Sequence, residues 1–342
     1  MIRKFVCLTA LLSVFFLAFS AQAIAASGED EDKTSFIMHH IKDSHEWHFA
    51  TIGHTHITLP LPVIIYSSDR GFEFYSSTDF LDPETHHFGK EHNGYLIDDH
   101  DKLQALDESR SFIDLSITKN VAMLFLVLGI SLYLLLSASK HYKNNPNKAP
   151  KGIASFVEPI VIFVRDEIAI PNIGPKYKKF TPYLLTLFFF IWIGNLLGLM
   201  PGAANLTGNI AVTVTLAIIT FLVTNLNGNK AYWKHVVATP GVPLPLLLII
   251  VPVEIIGLFT KPFALTVRLF VAITAGHIVI LSFIGLIFVF ESYAVGVAST
   301  LMVVFINIIE LLVATIQAYV FTLFSAMYIG AAVAEHAHDD HH

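Results

Sequence analysis

The stretch LFTKPFALTVRLFVAITAGHIVILSFIGLI, residues 258–287, decides the class of this chain. It is apolar for longer than the roughly 18 residues that mark a bilayer span. Yet it carries Arg268 within it, with Lys261 and Pro262 shortly before. A central arginine in a membrane helix costs roughly 2.5 to 3.5 kcal/mol on the translocon scale, so such a charge normally has a task. Ion handling inside a membrane is therefore the leading expectation.

The rest of the chain agrees. Hydrophobic residues make up 54% and charged residues 14%, against about 25% charged in ordinary soluble domains. The formal net charge of -6 says little, because charge is segregated along the chain. The single cysteine, Cys7, lies in an N-terminal segment with the parts of a secretory signal peptide: Met1-Ile2-Arg3-Lys4, an apolar run to Phe19, then Ala21-Gln22-Ala23-Ile24-Ala25-Ala26. Residues 1–26 are read as that signal, with a first membrane anchor as the alternative. Its removal would leave no thiol chemistry and a new N-terminus outside the cytoplasm.

Residues 27–118 are polar and histidine-rich, with His39, His40, His45, His48, His54, His56, His86, His87, His92 and His100. Alternation in His54-Thr55-His56-Ile57-Thr58-Leu59 and in Phe72-Glu73-Phe74-Tyr75 predicts strands. A small β-containing extracytoplasmic domain is expected. Its histidines form either a solvated surface titrating near pH 6.5 or a zinc or copper site. The missing cysteine partners and the irregular spacing favour the former, so no metal or other cofactor is assigned.

Residues 119–342 are read as an all-α polytopic membrane domain of about five spans plus an interfacial helix. The first span covers residues 121–138; Lys140, Lys143, Lys148 and Lys151 follow it and place that end in the cytoplasm by the positive-inside rule. Residues 153–170 are interrupted by Glu158, Pro159, Arg165, Asp166 and Glu167, which suits a helix lying at the interface. Spans follow at 182–200 and 210–226, the second ending at Lys230, Lys234 and His235. Two segments, 242–290 and 293–334, each exceed a bilayer thickness and are expected as long, tilted helices forming an antiparallel hairpin. The tail from His336 to His342 then ends in the cytoplasm.

The hairpin turn near Ser292 or Tyr293 makes residues whose numbers sum to about 586 similar in depth, taking 1.5 Å of rise per residue. Arg268 is then level with Gln317, and His277 with Glu310. Glu310 and Gln317, seven apart, share one helix face, about 10.5 Å from each other. Glu254 lies about 21 Å from Arg268 on the opposite side of it along the axis. Two ionisable stations separated by a fixed cation suit ions that enter from one face, are handed over, and leave by the other. Ala264, Ala272 and Ala275 around Arg268, with Gly276 beside them, are small enough for another helix to approach closely, whether within this chain or from a partner.

These residues resemble a known family. Lys261-Pro262, Val267-Arg268-Leu269-Phe270, Ile273-Thr274-Ala275-Gly276-His277, Glu310 and Ile316-Gln317-Ala318-Tyr319-Val320-Phe321-Thr322-Leu323 look like subunit a of the F-type ATP synthase membrane sector. Asn195-Leu196-Leu197-Gly198-Leu199-Met200-Pro201 is similar to another motif of that family. The likeness covers roughly Lys119 to the end.

The resemblance implies that Arg268 interacts with each carboxylate of a rotating c-subunit ring, with Gln317 beside it. It implies that His277 and Glu310 belong to a periplasmic half-channel and Glu254 to a cytoplasmic one. Ala264, Ala272 and Ala275 would then be rotor-facing. The implied partners are the c-ring, peripheral-stalk b subunits, the whole F1Fo assembly and the lipid bilayer, in a bacterial inner membrane. One departure is Ala272, where the family often has asparagine. No Gly-x-x-x-x-Gly-Lys-Ser/Thr loop occurs, so ATP chemistry belongs to partners. Nothing points to nucleic acid. The competing reading is a secondary ion or metal transporter with a buried Arg/His/Glu site, disfavoured by the lack of an internal repeat.

Overall fold

The computed structural model describes residues 43–52, 55–82, 88–98, 101–107, 110–144, 149–200, 203–237, 243–290 and 292–334. The expected signal peptide, His39, His40, His54, His86, His87, His100 and the C-terminal tail lie outside them. Two compact units emerge. One comprises Met1–Leu126, Leu197–Leu206 and Ile278–Asn307; the other comprises Val127–Leu196, Thr207–His277 and Ile308–His342.

The described residues of the first unit hold seven short strands in three antiparallel sheets: β1 (Glu46–Ile52) with β2 (Thr55–Pro60); β3 (Pro62–Ser67) between β4 (Gly71–Ser76) and β7 (Phe112–Asp114); and β5 (Tyr95–Ile97) with β6 (Leu103–Ala105). The strand expectations for residues 55–59 and 72–75 thus fall on β2 and β4. The β3–β4 turn closes because Gly71 adopts φ +77°, a left-handed conformation that glycine takes without steric cost. Val63, Ile65, Phe80, Tyr95, Ile97 and Leu103 form the buried core, with Tyr75 and Phe112 packed against it.

Glu73 points toward that core. Burial raises its carboxyl pKa, but hydrogen bonds donated by the Tyr75 and Tyr95 hydroxyls, at 2.8 and 3.0 Å, and the nearby Arg70 charge outweigh it. The net result lies below the ordinary glutamate value. A depressed folded-state pKa gives stability that is present above the unfolded-state value and lost as pH falls through the folded one. Amide hydrogen exchange of the full chain in membranes is therefore expected to show the β region loosening on acidification below about pH 4.3. Glu73→Gln should flatten that dependence; an unchanged acid profile would remove Glu73 as its source.

Helix α1 (Lys119–Asn144) starts directly from this region. Asp43 caps it, accepting the Asn120 amide at 3.0 Å and the Thr118 hydroxyl at 2.9 Å, while the Lys119 amide donates to the Ser44 carbonyl at 2.8 Å. Two of the donors that a helix start leaves orphaned are thereby satisfied.

Next come α2 (Ile153–Phe163), a π-helical turn (Val164–Ala169), α3 (Ile170–Ile173) and α4 (Tyr177–Gly198). Sequence reading separates an interfacial helix from the span after it. In the structure the two are joined in one helical run, Ile153–Gly198, of 46 residues. The wide turn absorbs the polar break: there the Arg165 guanidinium donates to both Asp166 oxygens, at 2.6 and 2.9 Å. The remaining helices are α5 (Ile210–Leu226), α6 (Lys230–Val237), α7 (Leu244–Phe290) and α8 (Tyr293–Val333).

Among the described residues, four helical runs are long and apolar enough to cross a membrane: Lys119–Asn144, Ile153–Gly198, Pro245–Ile287 and Tyr293–Val333. Counting α5 and α6, bent by 105°, as one broken span gives five. The chain is thus a mostly helical, multi-pass membrane protein with a small β-containing N-terminal region. At 1.5 Å per residue α7 and α8 are roughly 70 and 60 Å long, about twice the 30 Å hydrocarbon core. Both remain unbroken helices, and α7 does so despite Pro252 and Pro262 within it.

Candidate functional site

The chemistry-bearing side chains lie in the second unit. Glu310 on α8 is 3% exposed, and its Oε1 sits 2.8 Å from Nδ1 of His277 on α7. Its other oxygen, Oε2, is buried with no hydrogen-bond partner in the structure. A buried carboxyl group with one free acceptor and an imidazole beside it is a place where a proton can be held and passed on. Gly276 makes room for this pair. A Cβ there would come within 2.8 Å of Glu310 Oε1 and 3.3 Å of its Cγ, so only glycine leaves the carboxyl group in its seat.

Arg268 is exposed on α7, and so are its neighbours Ala264 and Ala275; Ala272 is half-buried. The guanidinium stands 4.3 Å above the ring of Phe324. Among the described residues no carboxylate forms a salt bridge with it. A cation over an aromatic face gains only about 0.5 to 1 kcal/mol at exposed sites, so this contact leaves the guanidinium charge largely unneutralised among the described residues. Gln317, the neighbour expected from depth, is half-buried with its Oε1 unpartnered. Phe324 was missed in the sequence, although a signal existed: Glu310, Gln317 and Phe324 are spaced by seven and so repeat on one helix face.

Nearer the start of α7, Glu254 is half-buried and lies 3.9 Å from His235 of α6. Lys261 stacks over Tyr328 at 5.6 Å. Lys261 and Tyr328 line a small cavity together with, among others, Thr224, Asn225 and Tyr232. Sequence reading used His235 only as a topological marker and did not single out Tyr328. Asn195 ties the helices together: its amide donates to the Ala314 carbonyl at 3.1 Å, and its oxygen accepts the Thr207 hydroxyl at 2.6 Å. Trp192 adds a bond from its indole N–H to the Thr315 hydroxyl at 3.2 Å.

The family model described as ATP synthase A chain matches residues 121–330. A protein named ATP synthase subunit a from Chloroherpeton thalassium is 50% identical over 233 residues, covering 66% of this chain and 69% of that protein. The chain belongs to the ATP synthase subunit a family. ATP synthase subunit a 2 of Chlorobium luteolum is 41% identical over 322 residues, 92% of this chain and 80% of its own length. A protein named ATP synthase subunit a from Anaeromyxobacter is 40% identical over 331 residues, 93% of this chain and 75% of that one. A second family model, a domain of unknown function (DUF8433), matches residues 36–123. Membership of the subunit a family makes the chain a component of the membrane sector of an ATP synthase, and so a part of proton transport and ATP synthesis.

Proposed function

We propose that this chain is the stator that couples proton flow to rotation through two offset half-channels. The observation that carries the reading is Arg268: a permanent cation, exposed on a mostly apolar helix and, among the described residues, in no salt bridge with a carboxylate. Its partner would be the carboxylate of each c subunit as the ring turns past. An opposite charge within about 4 to 6 Å lowers a carboxylate pKa by about 1 to 3, whereas burial in lipid raises it. A ring carboxyl group arriving from lipid would therefore release its proton beside Arg268. The guanidinium stays charged throughout, so it also blocks a direct leak between the half-channels.

In this scheme His277 and Glu310 serve the periplasmic half-channel and Glu254, with His235 at its side, the cytoplasmic one. Gln317 lines the α8 side of the crossing. Ala264, Ala272 and Ala275 form the rotor-facing surface. The b subunits would brace the chain against the torque. The lysine asymmetry supports a cytoplasmic C-terminus and a periplasmic N-terminal domain in the bacterial inner membrane. The domain plan is a signal peptide at 1–26, a histidine-rich domain at 27–118 and the membrane domain at 119–342.

Cysteine crosslinking tests the rotor-facing surface. Single cysteines at Ala264, Ala272 and Ala275 are paired with one near the essential carboxylate of the cognate ring, in membranes holding the assembled complex. Crosslinks are expected at these positions and not from the opposite face of α7. Their absence in an assembled complex would move the rotor contact elsewhere.

A further inference from the structure

The sheet β4–β3–β7 buries one face in the N-terminal core and turns the other outward. In antiparallel sheets of this kind the outward face is ordinarily polar. Here it presents Ile64, Tyr66, Phe72, Phe74, Ile113 and Leu115, with the Pro62–Ser76 pair at one end. Phe74 is 70% exposed, Phe72 63% and Ile113 59%. The register makes them one patch: Ile64 faces Phe74, Tyr66 faces both Phe72 and Ile113, and the Leu115 amide donates to the Ile64 carbonyl at 2.9 Å. The Tyr66 and Phe72 rings lie 4.9 Å apart. No position in the patch is charged.

The chain itself indicates what covers it. The strand track of β7 runs on to Ile117, whose amide donates to the Pro62 carbonyl at 3.1 Å, and α1 begins at Lys119. The Asp43 cap leaves no slack linker between sheet and helix. With about 3.4 Å per extended and 1.5 Å per helical residue, Leu115 lies within about 17 Å of Val121, where the apolar part of α1 starts. The row nearest the helix, Ile64, Phe74 and Leu115, is thus held close to the headgroup layer. Phe125 and Leu126 on the first turns of α1 are exposed apolar side chains as well. Aromatic rings with aliphatic neighbours, including a tyrosine with its polar tip, suit that layer.

We infer that this sheet face is a membrane-contact surface: it rests on the outer edge of the bilayer beside α1 and fixes the N-terminal region against the lipid. The inference depends on α1 spanning the membrane and is independent of the roles given to Arg268 and its partners.

Site-directed spin labelling of the full chain tests it, with Cys7→Ser as background and the protein alone in vesicles of phosphatidylcholine and phosphatidylglycerol. Nitroxides are placed through Phe74→Cys on β4, through Leu115→Cys beyond β7, and through Lys90→Cys as an exposed reference. Labels at 74 and 115 are expected to collide several-fold more with oxygen, which concentrates in lipid, than with a water-soluble nickel chelate; the label at 90 should show the reverse. Nickel access at 74 and 115 equal to that at 90 would overturn the proposal. So would protection that arises only after assembly with the other ATP synthase subunits, because a protein would then be the occupant. Labels on two separate strands keep the test valid if one substitution disturbs the sheet.

Discussion

Membranes carrying Arg268→Ala are expected to lose coupled ATP synthesis altogether while the complex still assembles. The argument is electrostatic. A cation that lowers the pKa of a ring carboxyl group by about 1 to 3 supplies about 1.4 to 4 kcal/mol toward deprotonation at the crossing. Without it, the carboxyl group re-enters lipid still protonated by the wrong half-channel, and the two sides are no longer kept apart. Arg268→Lys should fail almost as badly, because a lysine loses its proton readily on burial and cannot present a planar fork to a carboxylate. Assembly should survive both changes, since Arg268 is exposed and its guanidinium rests over the Phe324 ring and in no salt bridge among the described residues. The check is ATP synthesis driven by an imposed proton gradient, alongside subunit content. Normal synthesis in the alanine variant would sink the assignment.

Glu310→Gln should be the next most damaging change, and Gly276→Ala gives the cleaner diagnosis. Glutamine keeps the size of the side chain but cannot hold a transferable proton. Alanine at 276 leaves every titratable group in place and crowds the Glu310 carboxyl group, whose Oε1 is 2.8 Å from where the new methyl would be. The carboxyl group must then shift from its present seat 2.8 Å from His277 Nδ1. Alanine is also the better helix former, by about 1 kcal/mol, so lost function could not be ascribed to a weakened α7. A drop in passive proton flux on the order of tenfold, equivalent to about 1.4 kcal/mol in barrier, is expected for Gly276→Ala. A larger drop is expected for Glu310→Gln. Flux through ring-containing vesicles, read with a pH dye, decides it. Wild-type flux in both variants would take the pair out of the proton path.

The sequence alone determined the membrane class, the order of the long helices and the matching level of one polar pair on them, His277 and Glu310. These follow from properties local to the chain: apolar run length against bilayer thickness, lysines at span ends, and a fixed rise per residue. That is why numbering about a turn near Ser292 set His277 level with Glu310, the pair that the structure brings to 2.8 Å. Rise and period fix a residue's height and face, but not which side chain on the neighbouring helix it meets. Tertiary packing alone decided that Arg268 lies over Phe324, that Gly276 is the seat of Glu310, and that Glu254 approaches His235. The same holds for the sheet order β4–β3–β7, in which Phe112–Asp114 joins strands far earlier in the chain and completes an outward apolar face. Alternation marked Phe72 and Phe74 as sharing a face, but only the packed core on the other side showed that this face is the exposed one.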